Sequence, residues 1–111
     1  MEIKEFETRA AALPCTDLSE PFGHGTQVWK VSGKMFAAYG DYAEGVTLKC
    51  RDVETADMLV EVGAAQKARY LTRGGWVCFA WDDETLPDRL QDSYDVVVAK
   101  LTKAQRAALG S

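Results

Sequence analysis

Residues Gln27 to Cys50 constrain this chain more than any other stretch. They read Q-V-W-K-V-S-G-K-M-F-A-A-Y-G-D-Y-A-E-G-V-T-L-K-C, three runs joined by a Ser-Gly pair and by a second glycine-containing connection. Period-two alternation sends successive side chains to opposite faces of a strand, and glycine takes the positive φ that a two-residue hairpin demands. The pattern predicts a three-stranded antiparallel meander over about 27–31, 34–39 and 45–51. In the third run Val46, Leu48 and Cys50 alternate with Thr47, Lys49 and Arg51, the signature of a half-buried strand. One face should meet helices and the other should meet water or a partner.

The flanks supply the cover. Ile3, Phe6, Ala10 and Leu13 form one apolar stripe on a helix over 2–13, ended by Pro14. Cys15 to Thr26, with Pro21, Gly23 and Gly25, reads as a loop. Asp52 is placed to cap a helix over about 53–62 that buries Val53, Ala56, Leu59 and Val60, with Gly63 at its end. A fourth strand is expected over 68–72, a tight turn at Arg73-Gly74-Gly75 and a fifth strand from Trp76 to Trp81. Leu86, Leu90, Tyr94, Val97, Val98 and Leu101 then recur at helical spacing, with Pro87 in the first turn and Lys100, Lys103 and Arg106 near the end. The expected order is α-β-β-β-α-β-β-α. This is an α+β two-layer sandwich, a five-stranded antiparallel sheet with helices on one face, in a single domain over 1–111.

The chemistry is less legible than the architecture. Cys15, Cys50 and Cys78 are far apart and odd in number, so neither a disulfide framework nor a zinc site is indicated. Cys50 and Cys78 fall in strands, where a free thiol serves as a small hydrophobe. His24 is the lone histidine, and no nucleophile elbow, phosphate loop or metal-spaced carboxylate motif occurs. The chain is expected to be non-catalytic, without cofactor or metal. No apolar run approaches the roughly 20 residues that span a bilayer, and the acidic N-terminus lacks the order of a signal peptide, so the expected location is cytoplasmic.

A net charge of −4 argues against a nucleic-acid binder, but its distribution does not. Eleven of the seventeen acids lie in residues 1–26 and 82–111, whereas the strand-like runs carry Lys30, Lys34, Lys49, Arg51, Arg69 and Arg73 and no carboxylate. Phosphate recognition requires several such cations within reach of adjacent phosphates. The bland alternative is that they keep a solvated face soluble and discourage edge pairing. Trp29, Trp76 and Trp81 would stack on bases if exposed, though burial in the core is their commoner use.

P-F-G (21–23), V-W-K-V-S-G-K-M-F-A (28–37), L-K-C (48–50), W-V (76–77) and S-Y-D-V-V-V-A-K-L (93–101) resemble, in order and spacing, the MmcQ/YjbR family. The resemblance implies the same α-β-β-β-α-β-β-α sandwich, related in shape to type III secretion chaperones and frataxin-like proteins. It also implies DNA binding through two β-hairpin wings. Those would be the Ser32-Gly33 hairpin with Lys30 and Lys34, and the Arg73-Gly74-Gly75 hairpin with Arg69 and Arg73, with Lys49 and Arg51 beside them. Gly75 stands where that family usually has a basic residue or histidine before the tryptophan.

Three readings follow. The first is a nucleic-acid-binding domain whose partner is double-stranded DNA. The second is a protein-interaction adaptor using the open sheet face. The third is metal binding through Glu2, Glu5, Asp82, Asp83 and Glu84.

Overall fold

The computed structural model describes residues 1–20, 25–40, 45–68 and 74–109. In chain order the elements are α1 (Ile3–Ala11), β1 (Thr16–Ser19), β2 (Thr26–Val31), β3 (Lys34–Gly40), β4 (Gly45–Lys49), α2 (Val53–Glu61), β5 (Gln66–Lys67), β6 (Trp76–Ala80), α3 (Leu86–Val98) and α4 (Lys103–Ala107). The strands form one antiparallel sheet in the order β1-β2-β3-β4-β6-β5. The meander is as expected, but among the described residues the sheet has six strands instead of five. Thr16–Ser19, expected as loop, pairs along β2 from Thr16 opposite Val31 to Ser19 opposite Val28. Its backbone groups are satisfied by that neighbour, a long-range gain that local alternation does not report. Of the strand expected over 68–72, residues 69–72 lie outside the described residues, and β5 is Gln66–Lys67.

The long C-terminal helix is two helices. α3 stops at Val98, and Thr102 starts α4 by accepting from Gln105 N at 3.1 Å while the Gln105 side chain accepts from Thr102 N at 3.0 Å. This reciprocal capping box satisfies two N-terminal donors and makes a new helix preferable to a continued one. Lys103 therefore opens α4 and does not complement the end of α3.

One cluster joins the helices to the sheet: Phe6 and Ala10 of α1, Ala56 and Leu59 of α2, and Leu86, Leu90, Tyr94 and Val97 of α3, against Trp29, Ala37, Tyr39, Leu48, Val77 and Phe79. Two expected stripe residues are not in it. Ile3, in the first turn of α1, is 47% exposed, and Val53, in the first turn of α2, is 53% exposed. The opposite face of the sheet carries the row Val28–Ala38–Thr47–Cys78. Val28, Ala38 and Thr47 are all buried, so this face is closed at its centre and is not the open platform expected.

A bulge shapes the middle of the sheet. Trp29 faces Ala37 but Lys30 faces Met35, so Phe36 has no partner in β2 and turns inward beside Ala37. β3 and β4 pair only at Ala37–Leu48 and Ala38–Thr47. Where that ladder lapses, Ser93 of α3 inserts. Its hydroxyl donates to Phe36 O at 2.6 Å and accepts from Lys49 N at 2.9 Å. Ser93 is fully buried, although its position in the helix suggests a surface residue.

The two ends of the sheet differ in kind. At one end lie Gly40, Gly45 and Ala80. There Phe6, Tyr39 and Trp81 meet edge to face with centroids 5.3–5.6 Å apart. The Met1 ammonium donates to Trp81 O. Trp29 Nε1 donates to Tyr39 Oη at 3.1 Å, which donates in turn to Glu7 Oε2 at 3.0 Å. Burial, chiefly, pushes the Tyr39 phenol up to about 12. At the other end lie Thr16, Val31, Lys34, Lys49, Lys67 and Trp76.

Candidate functional site

Of the six cations singled out in the sequence, the four among the described residues do not form one strip. Arg69 and Arg73 lie outside the described residues. Lys30 is on the sheet face away from the helices, directly across from Asp17 of β1. The two side chains are not within ion-pair distance, so Asp17 offsets the lysine only through the field it adds nearby. Arg51, just past β4, has a side chain 80% exposed with Asp52 Oδ2 at 4.0 Å. That contact is long, and Asp52 Oδ1 is engaged as the cap of α2, accepting from Thr55 N at 2.7 Å.

Lys34 and Lys49 are brought together. Both sit at the same end of the sheet, one opening β3 and the other closing β4. Lys100, just beyond α3, joins them. Partial burial holds the Lys49 amine below its ordinary value, and the charges of Lys100 and Lys34 push it further down. Among the described residues no carboxylate lies within ion-pair distance of Lys34, Lys49 or Lys100. Three like charges so placed raise the local positive potential even on an acidic chain, although Asp92 and Asp95 line the same groove as Lys49.

Lys49 also reaches Trp76, its cross-strand partner, with Nζ 5.3 Å from the ring centroid. Trp76 and Trp81 are both half-buried, Trp81 against the core, whereas Trp29 is buried. Trp76 also lines a groove of about 600 Å³ whose walls include Val53, Val60 and Lys67 and the carboxylates Asp57 and Glu61. The sequence reading missed Lys100, which looked like a helix-end charge, and placed Trp76 with the core aromatics. Only the fold shows that residues 34, 49, 76 and 100 converge.

The Ser32-Gly33 hairpin is not a free wing. β1 runs beside β2 as far as Val31, and Ser32 N donates to Cys15 O at 3.2 Å. Its tip is therefore blunt, with Lys34 as its one cation.

Other candidates resolve into structure. Burial pushes the Cys50 and Cys78 thiols up, as expected of small buried hydrophobes, and Cys15 is exposed. Tyr94 Oη donates to Pro14 O at 2.6 Å, so the Ser93-Tyr94 pair serves packing. Glu5 pairs with Arg9 at 3.0 Å, and Asp83 accepts from Thr85 N at 2.8 Å. Among the described residues no three His, Cys, Asp or Glu gather as metal ligands, so Glu2, Glu5, Asp82, Asp83 and Glu84 form no such group. No helix among them is long and apolar enough to cross a membrane.

The YjbR family model matches residues 11–96. The chain is similar to the Deinococcus radiodurans protein DR2400, whose crystal structure is described as a DUF419 domain, with 26% identity and a TM-score of 0.84 over 97% of this chain and 87% of the other. No curated protein matches.

Proposed function

The chain belongs to the YjbR family, and we propose that it is a non-catalytic, cytoplasmic nucleic-acid-binding domain that grips phosphates with one end of its sheet. The observation that carries this reading is the convergence of Lys34, Lys49 and Lys100 without a partnering carboxylate among the described residues. Such a cluster lowers its own repulsion by taking up an anion, and a chain of phosphates offers several at once. Arg51 extends the cluster beyond β4, and Lys30, across the ladder from Asp17, is a secondary contact at most. Bases are not read by lysines acting as point charges, so the binding is sequence-tolerant.

Fluorescence anisotropy with labelled DNA, as single strand and as duplex, tests the reading. Neutralising about three phosphates predicts an affinity that falls roughly 20- to 40-fold between about 50 and 200 mM salt. Replacing Lys34, Lys49 and Lys100 together with Gln should abolish binding at the lower salt. Absence of binding to either form at about 50 mM salt removes the proposal.

A further inference from the structure

The cationic end holds one group that phosphate binding alone does not use: the half-buried indole of Trp76 beneath the Lys49 ammonium. We propose that the strand bound at this end is unpaired, with one base stacked on Trp76 and the adjoining phosphates held by Lys34, Lys49 and Lys100. This inference rests on the nucleic-acid reading above and narrows its ligand class.

Three features of the site favour an unpaired strand. First, the faces of paired bases are occupied within a duplex, so an aromatic platform is useful only to a base that has left the stack. Second, reading a duplex requires an element that enters a groove about 12 Å wide, such as a helix or a two-stranded ribbon. The described hairpin does not project as one, because β1 flanks it to Val31 and Ser32 N is tied to Cys15 O. Third, the platform is rigid. Trp76 starts β6, which pairs with β4 on one side and β5 on the other, so little ordering accompanies a stacked base. The other tryptophans are placed elsewhere: Trp29 is buried with its bond to Tyr39, and Trp81, though half-buried, packs on Phe6 and Tyr39 at the opposite end of the sheet from the lysines. Lys49 links the two functions. Its ammonium lies over the indole in the free protein, and a phosphate drawing it aside leaves that ring face to a base.

The intrinsic tryptophan emission of the full chain, titrated with oligo(dT), with a mixed-sequence duplex and with heparin as a polyanion lacking bases, tests the inference. Oligo(dT) should quench the emission and bind at least tenfold more tightly than the duplex, while heparin binds without quenching. Trp76→Leu should lose the quenching and roughly 5- to 150-fold of the oligo(dT) affinity, the worth of one stacked base, with duplex affinity and salt slope unchanged. Trp76→Phe should recover most of that affinity. The wild-type comparison of strand with duplex needs no variant, so it stands even if Trp76→Leu folds poorly. Salt-dependent binding of strand and duplex with equal affinity and no quenching overturns this inference and leaves the phosphate-binding reading intact. Failure of both to bind overturns the two together.

Discussion

The two ends of this sheet are built from the same strands and solve opposite problems. Around Gly40 and Gly45 the chain is filled to contact: a methyl added at Gly40 would overlap Gly25 O, and one added at Gly45 would overlap Phe79 O. Phe6, Tyr39 and Trp81 close that end with their rings, and the Trp29–Tyr39–Glu7 relay leaves the phenol satisfied. Around Lys34 and Lys49 there are cations with no carboxylate in ion-pair distance among the described residues, and a turn glycine, Gly33, with nothing within 4 Å of its added methyl. The closed end is filled by packing, whereas the other end gathers like charges. The packed margin and the proposed binding margin are thus opposite ends of one sheet.

The largest expected contrast is steric. Gly45→Ala forces β4 and β6 apart and should cost more than about 3 kcal/mol in urea unfolding, or prevent folding. Gly33→Ala meets no atom, and only its φ of +83° opposes the change, so about 1–2 kcal/mol is expected. Equal losses at the two sites would erase the distinction.

Protonation sharpens it next. Tyr39 titrates at about 12 when folded and near 10 when unfolded, so the unfolded chain releases its proton first. The stability this provides is complete below pH 10 and is lost as the pH climbs towards 12, by roughly 2 kcal/mol. Tyr39→Phe should flatten that part of the profile relative to the parent. An unchanged slope would mean the phenol is not shielded.

The smallest effect belongs to the charged end. Lys34→Ala and Lys100→Ala should each change stability by less than about 0.5 kcal/mol, with the sign leaning towards stabilisation at low salt. A loss above roughly 1 kcal/mol from either would make the lysines part of the framework instead of a binding surface.

The legibility of the sequence divides along similar lines. The meander was readable because Val46-Thr47-Leu48-Lys49 and its neighbours alternate locally, and α2 because Asp52 caps where it should. β1 was not, since Thr16-Asp17-Leu18-Ser19 is short, polar and set between prolines, and becomes a strand only when β2 lies beside it. The break before α4 was written in Thr102 and Gln105, but the apolar stripe through Leu101 concealed it. Lys30 and Lys34 look like neighbours across a turn, yet the bulge at Trp29/Lys30 sets Lys30 against Met35 and, on its other side, Asp17. The cluster that forms instead draws on residues 34, 49 and 100, and no pattern of local spacing predicts a meeting of three such distant segments.

Ser93 ties these parts together. A single hydroxyl serves as acceptor for one strand and donor to the next, which makes α3 a rivet through the sheet. Rotating or sliding that helix by one position would strip both strands of their partner. The register of α3, beyond whose end Lys100 lies, against the strands that carry Lys34 and Lys49 is consequently a mechanical setting, fixed from beneath.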